Sequence, residues 1–200
     1  KSINKKLIVN EINDLHERGY KEIILTGTQL GSYGFDLINE NLETLIKYIM
    51  TETSIERLRI SSIQAHEISE ELLDIYSKYS QRICNHFHLA LQSGSNNILK
   101  LMRRKYNNSR YLEAVNLIKS KLANPSISTD VIVGFPGETE IDFNDTIKLI
   151  KSSKFSKIHF FPYSDRPGTS SYYFNNKIKP EIKKERMKIA LQLAKTEEST

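Results

Sequence analysis

The strongest chemical signal in the sequence is the run Thr-Asp-Val-Ile-Val-Gly-Phe-Pro-Gly-Glu-Thr at positions 129–139. Gly134 follows an apolar run, and a glycine there lets the backbone approach a ligand closely. Pro136 and Gly137 predict a tight turn before a helix, and the N-terminus of that helix is suited to an anion or carboxylate. An ordinary strand-to-helix turn explains the same residues, and the Gly-Lys-Ser/Thr ending of a P-loop is absent.

Two basic segments are candidates for anion contacts. Residues 102–106 combine three cations with Tyr106, which suits phosphate, carboxylate or a stacked base, with a solvated turn as the alternative. A denser cluster lies near the C-terminus and comprises Lys177, Lys179, Lys183, Lys184, Arg186 and Lys188. Such a run is usually the solvated face of a helix, and RNA binding is its less favoured interpretation.

The sequence assigns no metal site and no catalytic nucleophile. His86 and His88 lie on the same side of a predicted strand, as two ligands would, but no carboxylate or cysteine completes a site. His66 and His159 are similar cases. The lone cysteine, Cys84, can form no internal disulfide, and a buried small side chain is its expected role. No Gly-x-Ser-x-Gly motif is present, so the sequence gives no support to nucleophilic hydrolysis.

The apolar spacing alternates between helical and strand periods, which predicts the elements that position these residues. Helices are expected around 8–18, 42–49, 72–76, 97–102 and 112–118, after Thr139, and from about Pro180. Ser109 is predicted to cap the fifth of them. Five strands are predicted between these helices, at 22–26, 58–61, 86–91, 128–133 and 158–161.

Strands separated by helices predict parallel βα units, because parallel neighbours need a crossover. In such folds ligands bind at the carboxyl ends of the strands. The first predicted element is a helix with no strand before it. We therefore expect an α/β fold whose first strand is missing.

Composition excludes several classes of protein. With 38% hydrophobic and 26% charged residues among 200, the chain is expected to be globular rather than disordered. No apolar run is long enough to span a bilayer, and no secretory signal is evident, which favours a cytoplasmic protein with no membrane partner. The formal charge of +5 gives weak support to an anionic partner such as nucleic acid.

Taken in order, the motifs resemble the radical S-adenosylmethionine methylthiotransferases, most closely those that thiomethylate threonylcarbamoyladenosine in tRNA. Residues 30–34, Leu-Gly-Ser-Tyr-Gly, favour that branch. The resemblance covers nearly the whole chain and rests on residues 25–27, 30–34, 59–62, 88–95, 130–139 and 159–164, together with Met102, Arg104, Tyr106, Arg166, Gly168 and Thr169.

The resemblance implies a partial (βα)6 TIM-like barrel of the radical SAM type, with residues 1–200 forming one partial core domain. A basic helix at about 180–200 would lead out of it. The implied cofactors are S-adenosylmethionine and 4Fe-4S clusters, and the implied partners are tRNA and an electron donor. The Cys-x3-Cys-x2-Cys cluster loop of the family is absent from this sequence, so the ligands are expected outside it and the isolated chain is expected to be inactive.

The resemblance also implies cofactor-binding residues. Thr26 and Gly27 match the strand end that contacts the methionine amino group, and Arg104 is the candidate partner of its carboxylate. Two further groups of residues are predicted. Expected beside the ribose and carboxylate are Ser61, Ser62, Gln92 and Ser93. Expected beside the adenine are Asp130, Ile132 and Gly134.

Some positions depart from the family pattern, which leaves the substrate open. Ala90 replaces a proline, Gln64 and Ala65 replace an acidic residue and a proline, and Ser171 replaces an alanine. Two alternative substrates are isopentenyladenosine in tRNA and an aspartate of a ribosomal protein. An alternative of another class is a cluster-free RNA-binding or scaffolding module.

Overall fold

The structure is a computed structural model that describes residues 1–197. Its contacts divide the chain into two compact units. Unit 1 consists of residues 1–88 and 116–126. Unit 2 consists of residues 89–115 and the chain from 127 onward. No helix among residues 1–197 is long and apolar enough to cross a membrane.

Unit 1 contains three helices and three short strands. The helices are α1 (Lys5–Glu17), α2 (Leu42–Glu52) and α3 (Glu70–Lys78), and the strands are β1 (Glu22–Leu25), β2 (Arg57–Ile60) and β3 (His86–His88). Two 3-10 turns, Leu30–Ser32 and Ala65–Glu67, follow β1 and β2.

The strands of unit 1 run parallel, as the sequence predicts. Leu25 lies opposite Ile60 in the β1–β2 register. Two isolated parallel bridges continue the pairing: Leu58 of β2 pairs with Ile83, and Ser62 pairs with His88 of β3. In this unit the described strands do not close into a barrel.

Local sequence signals explain the ends of α1. Asn4 caps its N-terminus by accepting a hydrogen bond from the amide of Lys6. Gly19, with φ +93°, donates its amide to the carbonyl of His16 just past the helix end. Val9 and Ile12 of this helix are buried, so the predicted first helix is confirmed.

Unit 2 contains the helices α4 (Asn96–Leu101), α6 (Glu140–Ser153) and α7 (Pro180–Glu197) with the strands β4 (Ser126–Val133) and β5 (Lys157–Pro162). The division between the units falls within α5 (Asn108–Lys121). β4 and β5 pair in parallel from Ser128–Lys157 to Val133–Pro162. α7 packs against β5 and α6 and buries Ala190 and Ala194.

Two details of the predicted elements are wrong. Ser109 does not cap α5, because the helix begins one residue earlier and Asn107 Oδ1 accepts the amide hydrogen of Arg110 at 2.8 Å. The third strand ends at His88 rather than residue 91. The reason is that Thr129 Oγ1, not a backbone carbonyl, accepts the hydrogen bond from the amide of Leu91.

Candidate functional site

In unit 1, the predicted residues lie at the carboxyl ends of two adjacent strands. Thr26 and Gly27 follow β1, while Ser61 and Ser62 follow β2. The amide of Ser61 donates to the carbonyl of Leu25 at 3.0 Å, which joins the two strand ends. Thr26, Gly27 and Ser62 are exposed and Ser61 is half-buried. The structure therefore brings these four residues to one edge of the sheet, accessible to a ligand.

A cavity of about 430 Å³ opens beside the end of β1. This volume is within the range of small-molecule sites. Thr26, Gly27, Thr28 and Gln29 supply polar groups to its lining, and its apolar lining side chains include Leu30, Tyr33 and Phe35. Ser61 and Ser62 are not part of this lining.

The Leu-Gly-Ser-Tyr-Gly stretch has a structural role beside this cavity. Gly34, with φ +87°, lies so close to the carbonyl of Glu40 that no side chain fits there. Gly31 lies against the carboxylate of Glu67, which accepts a hydrogen bond from the amide of Gln64. The Tyr33 hydroxyl donates to the carbonyl of Ile3, and burial, followed by the charges of nearby acidic residues, raises the pKa of Tyr33.

In unit 2, Gln92 is joined to the middle of β4. Its amide donates to the carbonyl of Asp130 at 2.8 Å, and its carbonyl accepts from the amide of Ile132 at 2.9 Å. Gln92 has φ +65°, an unusual value for a residue other than glycine. These bonds bring together three predicted site residues.

Ser93 turns away from solvent. It is fully buried, and its hydroxyl lies 3.3 Å from Thr146 Oγ1 and accepts a hydrogen bond from the amide of Ser95. Its side chain is therefore occupied in packing the loop against α6. No local sequence pattern indicates that contact, because Thr146 is 53 residues away in the chain.

Two residues that are not among the predicted cofactor-binding residues lie beside the half-buried face of β4. Asp130 pairs in register with His159, and Ile132 pairs with Phe161. Registered neighbours project from the same face of a sheet. Because His159 and Phe161 are exposed while Phe160 between them is buried, the period-two pattern of β5 was the available signal.

A buried ion pair supports the turn after β4. Gly134, with φ +76°, donates its amide to Oε2 of Glu138 at 2.9 Å. The same carboxylate oxygen lies 2.7 Å from Nη1 of Arg186 in α7, and both side chains are almost wholly buried. Arg186 also reaches Glu140 at 3.3 Å. The turn predicted from Pro136 and Gly137 is thus held by a residue from the basic cluster.

The N-terminus of α6 is already capped by side chains of this chain. Thr139 and Asp142 form a capping box, as the prediction of a cap at Thr139 requires. The Asp142 carboxylate also accepts a hydrogen bond from the hydroxyl of Ser95, the N-cap of α4, at 2.5 Å. Burial opposes the charge of Asp142, but its hydrogen bonds outweigh burial and lower its pKa. The structural interpretation of this helix start is favoured over anion binding.

Arg104 lies just after α4 and is half-buried. Its amide donates to the carbonyl of Leu99. The nearby Tyr106 hydroxyl donates to the carbonyl of Ala90 at 2.6 Å, which ties this segment to the chain just before Gln92. Burial raises the pKa of Tyr106, while the charge of Arg104 acts in the opposite direction.

The basic cluster divides by environment. Arg186 is buried, Lys183 is half-buried and donates to the carbonyl of Tyr163, and Lys177 pairs with Asp165. The other members are exposed, namely Lys179, Lys184 and Lys188.

Metal-binding groups are sparse in the described part of the chain. Across residues 1–197, no group of three or more His, Cys, Asp or Glu side chains is placed to hold an ion. Cys84 is buried, and its sulfur accepts a hydrogen bond from Nε of Arg57 at 2.9 Å. The position of Cys84 agrees with the expected packing role.

Comparison with known proteins identifies the family. Residues 1–150 match the model of the radical SAM superfamily. The threonylcarbamoyladenosine tRNA methylthiotransferase of Aquifex aeolicus is 44% identical over 193 residues, which cover 96% of this chain and 47% of that protein. The tRNA-2-methylthio-N6-dimethylallyladenosine synthase of Clostridium tetani is 42% identical, covering 90% of this chain and 40% of that protein. The chain therefore spans less than half the length of these relatives.

A solved structure supports the fold. Coproporphyrinogen III oxidase from Escherichia coli, a radical SAM enzyme, matches 96% of this chain and 45% of its own with a TM-score of 0.70, at 15% sequence identity. The predicted α/β fold with parallel strands is confirmed by this likeness and by the observed pairing. From the matched model and the curated relatives, it follows that the chain belongs to the radical SAM superfamily.

Proposed function

We propose that this chain is the S-adenosylmethionine-binding part of a tRNA methylthiotransferase, which adds a 2-methylthio group to N6-threonylcarbamoyladenosine beside the anticodon. The observation that carries the proposal is the 44% identity to an enzyme named for that modification across 96% of the chain. The activity belongs to the whole protein, and the isolated 200 residues are expected to be inactive.

Membership of the superfamily implies S-adenosylmethionine and a 4Fe-4S cluster, which would supply a 5′-deoxyadenosyl radical and methionine once the electron donor has given the cluster one electron. S-adenosylmethionine carries a carboxylate, an ammonium group, ribose hydroxyls and an adenine. The chain offers groups of matching kinds: the hydroxyls of Thr26 and Ser61 after β1 and β2, the guanidinium of Arg104 after α4, and the apolar side chain of Ile132 in β4. The chemistry of these residues fits this cofactor.

The individual roles proposed here are those that the family resemblance implies. Thr26 and Gly27 accept the methionine ammonium group through backbone carbonyls. Arg104 binds the carboxylate, because its planar fork matches that group with two hydrogen bonds. Ser61, Ser62 and Gln92 serve the ribose and carboxylate, Ser93 supports Gln92 by packing its loop against α6, and Asp130, Ile132 and Gly134 border the adenine.

The residues of this chain do not fit a 4Fe-4S cluster. Such a cluster takes cysteine thiolates, and the single cysteine is buried beside Arg57. We place the cluster ligands outside these 200 residues, together with the contact for the electron donor. A tRNA substrate implies a cytoplasmic protein, and the 200 residues form part of one radical SAM core domain in this proposal.

Cofactor binding can be tested on the chain itself. Equilibrium dialysis with labelled S-adenosylmethionine should show that Arg104→Ala weakens binding by about 10- to 150-fold, the loss expected for hydrogen bonds to a charged group. Arg103→Ala is the matched control, because Arg103 is the exposed neighbour on the same turn. Equal affinity in the two variants would remove Arg104 from the site.

The substrate needs the whole reading frame. After anaerobic expression, mass spectrometry of tRNA nucleosides should show thiomethylated threonylcarbamoyladenosine. Thiomethylated isopentenyladenosine would instead favour the branch of the Clostridium tetani relative. A methylthio group on a ribosomal-protein aspartate, or RNA binding with no iron and no product, would each overturn the proposal.

A further inference from the structure

Three tyrosines and two lysines of unit 2, some exposed and some half-buried, have no assigned role in the proposed cofactor site. We call it the tyrosine patch: Tyr163, Tyr172, Tyr173, Lys177 and Lys183. The ring centroids of Tyr172 and Tyr173 lie 5.3 Å apart in an edge-to-face pair. Lys177 Nζ lies 5.5 Å from the ring of Tyr172 and 5.7 Å from the ring of Tyr163. Lys183 Nζ lies 5.9 Å from the ring of Tyr163.

The patch leaves large aromatic surface in water. Tyr173 is 73% exposed and Tyr172 is 42% exposed. Three of its members are tyrosines, whose flat rings combine an apolar face with a hydroxyl at the edge. Such rings suit a ligand with its own flat faces better than an aliphatic partner.

The backbone beneath the rings is held in place. Lys177 Nζ donates to the carbonyls of Ser171 and Tyr172 at 3.2 and 3.0 Å and pairs with Asp165. Behind the patch, Tyr163 packs edge-to-face on the buried ring of Phe135 at 5.2 Å. Because the rings are already positioned, binding a ligand costs little ordering of the protein.

The stretch of sequence that carries these rings is rich in positive charge, although Arg186 is buried against Glu138 and Lys177 pairs with Asp165. Residues 163–188 contain seven Lys or Arg residues and three acidic residues, whereas the whole chain has a formal charge of +5. Exposed Lys179 and Lys184 lie in the same stretch. A ligand that is both anionic and rich in flat rings complements this combination, and single-stranded nucleic acid has both properties.

We propose that the tyrosine patch binds single-stranded RNA, with bases stacked on Tyr172 and Tyr173 and phosphates beside the surrounding lysines. The proposal rests on the function above and extends it by naming the part of this chain that contacts the unpaired nucleotides of a tRNA loop. The stacking is tolerant of base identity, because every base has an aromatic face.

The test uses the 200-residue chain and a fluorescent RNA hairpin with an unpaired loop, measured by anisotropy at two salt concentrations. Tyr172→Ala together with Tyr173→Ala should weaken binding by about 5- to 150-fold for each stacked base lost. The phenylalanine pair Tyr172→Phe and Tyr173→Phe should retain binding, because it keeps the rings. Lys184→Ala should lower the slope of affinity against salt by about one counterion.

Tyr20→Ala is the matched control, since Tyr20 is 52% exposed in unit 1, lies beside Arg18 and forms no aromatic pair with any ring in residues 1–197. The inference fails if the alanine pair binds RNA like the wild type, if Tyr20→Ala loses as much, or if the wild type binds no RNA. In the whole enzyme, an unchanged KM for tRNA in the alanine pair would overturn the inference and leave the proposed function standing. RNA binding through the patch without any thiomethylation would overturn the proposed function alone.

Discussion

Glu138 is a carboxylate kept almost entirely from water, and its partners decide what that burial costs. It accepts hydrogen bonds from the amide of Gly134 and from Arg186. Burial is the largest influence on its pKa and raises it, although both partners oppose the rise. Removing the arginine would leave a buried charge without compensation, which is strongly destabilising.

We therefore expect Arg186→Met to lower the free energy of unfolding at pH 7 by about 3 to 5 kcal/mol. The loss of Arg186 raises the folded-state pKa of Glu138 further, so the folded state holds a proton that the unfolded state releases. The stability of the variant then falls as pH rises from the unfolded-state pKa of Glu138 to its raised folded-state pKa, and it recovers on acidification. Urea denaturation at pH 5 and pH 7 should show the smaller deficit at pH 5. Glu140→Gln, which changes an exposed partner of the same arginine, is the control and should cost less than 1 kcal/mol.

A deficit in Arg186→Met that is the same at both pH values would contradict this explanation, because it would mean that the ionisation of Glu138 does not contribute to it.

At the scale of elements, the packing of α6 depends on a residue with no side chain. A Cβ on Gly94 would lie 2.6 Å from Cα of Thr146 and 2.9 Å from the carbonyl oxygen of Asp145. Both are backbone atoms of α6, so the contact can be relieved only by moving the helix. Gly94→Ala is expected to lower stability by about 1 to 3 kcal/mol, as overpacking does.

Gly27→Ala is the comparison for this prediction, because a Cβ there would meet only Leu30 at an ordinary 3.7 Å. Thermal unfolding followed by circular dichroism compares the two variants. Equal melting temperatures would show that α6 yields easily and that Gly94 is not required for its packing.

The same elements show what sequence can predict. Thr139 was identified as a cap because a polar residue precedes a helical apolar pattern, and the structure agrees. Ser109 failed because Asn107, two residues earlier, offers a competing acceptor. The end of β1 was predictable from its apolar period, and Thr26 follows it as expected, whereas Gln92 lies four residues beyond the end of β3.

Tertiary pairing was not predictable in this way. Arg186 looked like one more cation of a solvated run, and nothing in its local spacing indicates a carboxylate 48 residues away. Likewise, the Ser93 hydroxyl lies 3.3 Å from Oγ1 of Thr146, which is 53 residues away in sequence. Such partners are close together in the folded chain but far apart in sequence, so a single sequence does not reveal them.

At the scale of the whole molecule, unit 1 is not continuous in sequence. Its second segment, 116–126, contributes the buried side chains of Ile118 and Leu122. Lys121 pairs with Glu70 at 3.1 Å and with Asp74 at 3.3 Å. These contacts are absent from any piece that stops at residue 88.

A peptide of residues 1–88 should therefore unfold without a cooperative transition, since burial of each missing apolar side chain stabilises by about 1.5 to 3 kcal/mol. Urea titration followed by circular dichroism checks this, with the 200-residue chain as the reference. A sigmoidal transition in the peptide with the midpoint of the full chain would show that the second segment is dispensable.

Lys183 contacts two of the surfaces proposed above within unit 2. Its aliphatic stem occupies the space above Gly134, and its ammonium group binds the carbonyl of Tyr163. One side chain thus touches both the proposed adenine strand end and the proposed RNA surface. A ligand that shifts Lys183 at one place alters the free energy of binding at the other. If S-adenosylmethionine beside Gly134 and RNA on the tyrosine patch both displace Lys183, thermodynamic reciprocity requires each to change the other's affinity by the same factor.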